Sequence, residues 1–395
     1  MDFSEVRKLK DRVICSGERW IFSAGFNVKP DLKSTERIDE EIDDITQISQ
    51  AGGIISILSH QGSTPKEIRD LDFVADYLSA KLKKPVRYFP TNDASALEFS
   101  KTLNPGEIVL FGNTRFNPGE TKNCKILAEH FSSFGNYVAI GGFSKAHRAN
   151  SSNVGILKYI PGFLAQSQIN EMQSLSHWSG RSDSELSVVV LGGVKKEKIT
   201  DGVFGFLENY DYIIPGGIVL NTFLSAKGIP IGDSVITDSG ERYDKQLEPL
   251  LYSFREKILL PKQVTIAKKI KGRYQDIQFL NLDEGKILDD YQIVDFALPE
   301  LALSVLEKLA LKGGRLVLAG TPGVYSQGFV TATNALVPYL NNSRIKSIAL
   351  GGDTVGEILN LICQKSSGGG SALAYISKGT TEVYEALKKN KIEFP

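Results

Sequence analysis

Cysteine is scarce in this chain of 395 residues, and the three present, Cys15, Cys124 and Cys363, lie far apart without Cys-x-x-Cys spacing. That excludes a disulfide-stapled scaffold and a structural zinc site, and leaves the thiols as small buried hydrophobes. Net charge is also missing. Lys plus Arg and Asp plus Glu both number 46, so no global field recommends nucleic acid or an anionic membrane as a partner. Any polyanion site has to be local. Apolar runs such as residues 188–191 fall far below the roughly 18 residues that cross a bilayer. The opening Met1-Asp-Phe-Ser-Glu5 has neither a basic segment nor an apolar one, so no secretory leader is read and a soluble cytoplasmic protein is expected. There is no low-complexity tract and no repeat of fixed period. No Gly-x-Gly-x-x-Gly follows an early strand with an acidic residue about 20 positions on, which argues against a dehydrogenase. The missing leader argues likewise against a periplasmic-type binding module.

What is present is an alternation of short β-rich runs with helix-like segments, the pattern of parallel sheets covered on both faces. Runs at 53–58, 107–111, 137–140, 186–191, 212–214, 315–319 and 347–350 read as strands. Apolar residues at Ile68, Leu71, Val74, Ala75, Leu78 and Leu82 read as one helix face. Few segments read as hairpins, and 241–285 has no clear pattern. The fold expected is α/β, two doubly wound parallel-sheet (Rossmann-like) domains joined by a hinge helix. The boundaries are 1–165 for a substrate domain, 166–185 for the polar linker, and 186–375 for a nucleotide domain, with 376–395 returning to the first.

The 37 glycines fall preferentially after strand-like runs, where in open α/β sheets the backbone can approach a ligand and the next helix offers N–H groups to an anion. Leu191-Gly-Gly193, Pro215-Gly-Gly217, Ala319-Gly-Thr-Pro-Gly323, Leu350-Gly-Gly-Asp-Thr354 and Ser367-Gly-Gly-Gly370 suggest a nucleotide bed in the second half. In the first half the corresponding strand ends carry side chains: Gly25-Phe-Asn27, Ser59-His-Gln-Gly62, Asn113-Thr-Arg-Phe116 and Ala146-His-Arg148, with Arg37 nearby. Arginines forking onto phosphate or carboxylate suit a small anionic substrate. Trp20 and Trp178 read as packing residues, and the Lys268–Arg273 cluster as a solvated turn.

As an ordered set these motifs resemble the phosphoglycerate kinase family. The matching stretches are Phe26-Asn-Val28, Arg37-Ile38, Ser59-His-Gln-Gly62, Arg115-Phe-Asn-Pro-Gly119, Phe143-Ser-Lys-Ala-His-Arg148, Gly192-Gly-Val-Lys195, Gly216-Gly-Ile-Val-Leu-Asn221, Gly351-Gly-Asp-Thr354 and Gly368-Gly-Gly370. The resemblance implies reversible phosphoryl transfer between ATP or ADP, with Mg2+, and the carboxyl group of 3-phosphoglycerate, by hinge closure of the two domains. It implies that Asn27, Arg37, His60, Arg115 and Arg148 hold the acid. Gly193, Lys195, Lys198, Gly217, Asn221, Gly320, Gly323, Ser326, Gly351, Gly352, Asp353 and Thr354 would hold the nucleotide, Asp353 also meeting the metal. Arg37, Lys195 and the N–H groups of Gly369 and Gly370 would stabilise the moving phosphoryl. Such transfer needs positioning and fixed positive charge more than a general base. A monomer is expected, because most members act alone.

The sequence also departs from the family pattern. The first signature, Arg-x-Asp-x-Asn, reads Ser23-Ala-Gly-Phe-Asn27, and His-x-x-Arg reads His60-Gln-Gly-Ser63. The Asn-Asp before Ala-His-Arg reads Ile140-Gly141, and the ribose-binding glutamate reads Ser326. Three readings stay open at this point: a phosphoglycerate kinase that tolerates these changes, a kinase of a different small carboxylate, and a catalytically weak member kept for binding or regulation.

Overall fold

A computed structural model describes residues 2–62, 69–237, 241–366 and 368–395. The chain divides into two compact units, Met1–His177 with Thr380–Pro395, and Trp178–Gly379. The first is built on β1 (Arg19–Ser23), β2 (Ile54–Leu58), β3 (Val86–Phe89), β4 (Ile108–Phe111), β5 (Tyr137–Ile140) and β6 (Gly162–Leu164), in the order β3-β4-β2-β1-β5-β6. Every pairing is parallel. Both faces are therefore covered, and strands such as Ile-Ile-Ser-Ile-Leu in β2 are buried along their whole length. Trp20 is fully buried in this core.

The second unit has β7 (Ser187–Leu191), β8 (Tyr212–Pro215), β12 (Gly314–Ala319), β13 (Ile345–Leu350) and β14 (Gln364–Ser366) in the parallel order β14-β13-β12-β7-β8. Beside it lies a three-stranded antiparallel sheet, β10-β9-β11, from β9 (Gln263–Ile270), β10 (Arg273–Asn281) and β11 (Tyr291–Phe296). That sheet occupies much of the stretch 241–285 in which the sequence shows no clear pattern. β10 is solvent-exposed along most of its length, so it lacks the apolar alternation that marks a strand in sequence. The Lys268–Arg273 cluster is split by the hairpin, whose turn residues Lys271 and Gly272 both have positive φ, 49° and 81°. The cysteines also depart from expectation: Cys15 is exposed and Cys124 and Cys363 are half-buried.

Helix Asp72–Leu82 covers the first sheet with the expected stripe, burying Val74, Ala75 and Leu78; Ile68 lies outside the described residues. A helix spans Gln166–Leu175, followed by Trp178, buried and donating its indole N–H to Lys346 O at 2.7 Å. The final helix, Glu382–Glu393, packs in the first unit, where Asn390 is the pivot: its amide serves Leu157 O, Ile160 O and Gly162 N. Among the described residues no helix is long and apolar enough to cross a membrane.

Candidate active site

From β1 the chain passes to β2 on one side and from β5 to β6 on the other, and from β7 and β12 it diverges likewise to β8 and β13, so the order reverses between β1 and β5 and between β7 and β12. Ligands of such sheets bind outside the carboxyl ends of the strands at that reversal. The sequence-predicted residues lie there.

In the first unit β1 runs on into Gly25-Phe-Asn27. Asn27 accepts the Gly62 N–H on its Oδ1 at 2.9 Å and the Arg37 guanidinium on its backbone carbonyl, also at 2.9 Å. Arg37 belongs to the short helix Glu36–Asp39 and is half-buried, and that burial pulls its pKa down. His60 and Arg115 sit after β2 and β4. Asn113 ties the two loops together, bonding Gln61 O at 2.8 Å, Gln61 N at 3.2 Å and Arg115 N at 3.0 Å.

His60 is buried; desolvation first, then the charges of Arg115, Lys145, Arg148 and Arg37, hold its imidazole well below the usual range. It is neutral near pH 7, and its field shows four cations converging on one place. Burial and the neighbouring Arg148 likewise lower the Arg115 pKa, and the buried Arg115 Nε has no hydrogen-bond partner among the described residues. An arginine cluster that raises its own desolvation cost in this way is poised to be compensated by an anion. Ser63 lies outside the described residues.

Sequence reasoning overlooked the charges underneath. Lys145 is 3% exposed and donates to Ser23 Oγ at 2.7 Å, and Ser23 donates on to Ser152 O at 2.6 Å. Glu41, 2% exposed, accepts the Gly25 N–H at 2.9 Å. Glu120, 1% exposed, accepts the Ser152 hydroxyl at 2.6 Å and its N–H at 3.1 Å. Lys145 stands within a motif that was read only for its arginine; Glu41 and Glu120 carried no motif at all.

In the second unit the glycines have a structural reason of their own. A Cβ on Gly217, whose φ is +48°, would lie 2.3 Å from Gly193 O; on Gly192, 2.2 Å from Thr321 O; on Gly216, 2.6 Å from Pro322 Cα; on Gly320, 2.3 Å from Gly192 O. The turns after β7, β8 and β12 thus pack backbone against backbone. Gly193 N–H bonds Thr321 O and Gly217 N–H bonds Pro322 O, at 3.0 and 2.8 Å. Gly323 presses against Asp295, whose carboxylate caps the helix Thr331–Leu340 through the N–H groups of Thr331 and Ala332. That capping accounts for Asp295 without a ligand.

Lys195 is exposed on this rim and Lys198 half-buried at the start of the next helical turn. Asn221 donates to Val235 O at 2.8 Å, while its buried Oδ1 accepts no hydrogen bond among the described residues. Ser326 is exposed on the short turn Tyr325–Gln327. Gly351, with φ +98°, leads into the helix Gly352–Glu357, on which Thr354 is buried; the side chain of Asp353 lies outside the described part. Gly369, φ +56°, and Gly370 open the helix Gly369–Lys378. These helix starts aim N–H groups outward from the carboxyl ends of β13 and β14.

The profile of the phosphoglycerate kinase family matches residues 11–388. A phosphoglycerate kinase of Psychrobacter sp. is 28% identical over 391 residues, spanning 91% of this chain and 92% of its own. That of Fervidobacterium nodosum is 29% identical over 380 residues, spanning 91% and 93%. The crystal structure of phosphoglycerate kinase from Pyrococcus horikoshii has the same fold, with a TM-score of 0.72 at 24% identity over 98% of this chain and 100% of that one. With the match running almost from end to end, the chain belongs to the phosphoglycerate kinase family.

Proposed function

We propose that the protein is a kinase that moves a phosphoryl group reversibly between ATP or ADP and the carboxyl group of 3-phosphoglycerate. The first unit would hold the acid and the second the nucleotide. The observation that carries this reading is the convergence of Arg37, Arg115, Arg148 and Lys145 around a neutral His60, in a chain of this family. Such a wall suits a small trianion.

Each residue has a task. Arg115 and Arg148 would bind the substrate phosphate, and Arg37, anchored on Asn27, would lie nearest the carboxylate. A neutral His60 would donate a hydrogen bond without adding charge. Across the transfer, Lys195 and Lys198 would follow the phosphoryl group, and the N–H groups of Gly369 and Gly370 would meet its equatorial oxygens, where negative charge spreads in the transition state. Because the acceptor is already an oxyanion, no base has to remove a proton. Bringing the two ligands together calls for closure of the units about the segment 166–185.

A magnesium ion carried on nucleotide phosphates keeps most of its waters and takes only one or two protein carboxylates. Asp353, in the first turn of Gly352–Glu357, would supply that carboxylate. When bound, the ion would neutralise the nucleotide phosphates.

The test is a coupled assay with magnesium-ATP and a panel of small carboxylates. Turnover with 3-phosphoglycerate that falls about a hundredfold or more in Arg37→Ala and in Lys195→Ala is expected. A response to another acid alone would transfer the reading to a different carboxylate kinase, and no response to any acid would overturn it. The departures at Gly25 and Ser326 leave the reading standing, because they bear on hydroxyl and ribose contacts rather than on the charges nearest the transferred group.

A further inference from the structure

Two glycines meet where the acid site of the first unit is built. A Cβ on Gly25 would lie 2.5 Å from Gly142 Cα, and one on Gly142 would lie 2.7 Å from Gly25 Cα and 3.0 Å from Lys145 Cε. Gly141 continues the gap: its Cβ would lie 2.4 Å from Glu41 Oε2. The space that side chains at 25, 141 and 142 would fill is thus given to two charged ones, Glu41 and the stem of Lys145. Glu41 Oε2 is buried without a hydrogen-bond partner among the described residues.

Each segment that carries a cation of the wall is tied to this pair. Glu41 closes the turn that bears Arg37, its N–H bonding Ile38 O at 3.0 Å. Its Oε1 holds Gly25, two residues before Asn27. Lys145 O accepts the Arg148 N–H at 3.1 Å. Through Ser23 and Ser152, Lys145 reaches Glu120, just after Arg115.

We propose that Glu41 and Lys145 are positioning residues of the acid site, two buried ionisable groups packed into one glycine-lined gap that set through space how strongly Arg37, Arg115 and Arg148 hold an anion. This rests on the assignment of the acid to the first unit. Desolvation drives the two groups toward each other in pH: it raises Glu41 to about 8 and lowers Lys145 to about 8. Lys145, Asp44 and Glu40 face Glu41; Glu41, Glu120 and Arg115 face Lys145. Glu120 is itself raised by burial, and His60 is held neutral. As pH rises through this region the two lose protons in overlapping steps, passing from a neutral acid with an ammonium to a carboxylate with a neutral amine. The charge behind the wall reverses sign, and anion affinity falls as pH rises.

Between pH 7 and 9.5 the carboxylate of 3-phosphoglycerate stays ionised and its phosphate, with a second pKa of about 6, gains only about a tenth of a charge, so a fall in affinity there reports the protein. Calorimetric titration of the whole chain with 3-phosphoglycerate should show affinity falling roughly tenfold across that range with a midpoint near 8. The acid KM should follow it and the ATP KM should not. The neutral double variant E41Q/K145M removes both charges together, the change that buried pairs tolerate best, and should give a flat profile; circular dichroism checks its fold. E41Q alone keeps the lysine and should retain a shallower slope. A flat wild-type profile, or an inflection that survives in E41Q/K145M, overturns the proposal. If Arg148→Ala still abolishes binding in that case, the acid site stands and the pair alone falls. If the wild type binds neither 3-phosphoglycerate nor inorganic phosphate at any pH, the acid site falls and takes the pair with it.

Discussion

Adding one methyl group at Gly25 is the sharpest mechanical test of the first unit. Its Cβ would meet Gly142 Cα at 2.5 Å and Gly142 C at 3.4 Å, both backbone, and Glu41 Oε1 at 3.1 Å. Gly142 cannot simply give way, because its φ of +67° already fixes the turn in a conformation other residues resist. The loops must separate by about 1 Å, and overpacking of this kind costs roughly 1–3 kcal/mol. For a unit of this size each kcal/mol lowers the melting temperature by about 2–4 °C, so Gly25→Ala should melt roughly 2–12 °C lower by calorimetry. The Gly25 N–H also positions Glu41, so 3-phosphoglycerate affinity should fall with stability while ATP affinity holds. An unchanged melting temperature would refute the claim that the glycine-to-glycine contact is closed. Restoring the family's aspartate at this position should be worse than alanine, since it would bury a second carboxylate beside Glu41.

Other outcomes follow from single contacts. Gly217→Ala forces a side chain onto Gly193 O at a φ of +48° and should weaken ATP binding in calorimetry while leaving 3-phosphoglycerate binding intact. Asp295→Ala removes the cap on Thr331 and Ala332 and should cost about 1–2 kcal/mol in urea unfolding, with little change in turnover. The His60 imidazole, held well below its ordinary pKa, should show no proton NMR titration between pH 6.5 and 8. Stability itself should dip near pH 8. Glu41 has its folded pKa raised from 4.5 to about 8, so its contribution is lost as pH rises through that window. Lys145 is lowered from 10.5 to about 8, so its contribution returns only as pH climbs from 8 toward 10.5. Denaturant midpoints of E41Q/K145M should lack the dip.

The parallel strands were legible because burial on both faces leaves continuous Val, Ile and Leu runs, as in Ser187–Leu191 and Gly314–Ala319. His60 and Arg115 could be singled out because each closely follows such a run, whereas Arg37, on the short helix Glu36–Asp39, follows no strand closely and takes its role from the resemblance. The glycines were legible as turns, yet their reason differs from the one the sequence suggested: Gly192, Gly216, Gly217 and Gly320 make room for neighbouring backbone. Nothing local marks Glu41, which sits among Glu40, Asp43 and Asp44 like any solvated helix start. Its burial arises only when β5 is laid beside β1. β10 was illegible for the opposite reason, since an exposed edge strand carries no buried stripe.

The helix Glu382–Glu393 has a consequence for truncation. Asn390 satisfies the carbonyls of Leu157 and Ile160, Arg7 reaches Asn390 O at 3.0 Å, and the Tyr384 hydroxyl donates to Asp2 O at 2.6 Å. The unit Trp178–Gly379 is one unbroken segment, whereas the other is assembled from two. Cutting the chain after Gly379 would therefore strip the carbonyls of Leu157 and Ile160 of their donor while the unbroken unit keeps all of its own residues, so the damage would fall on one half alone.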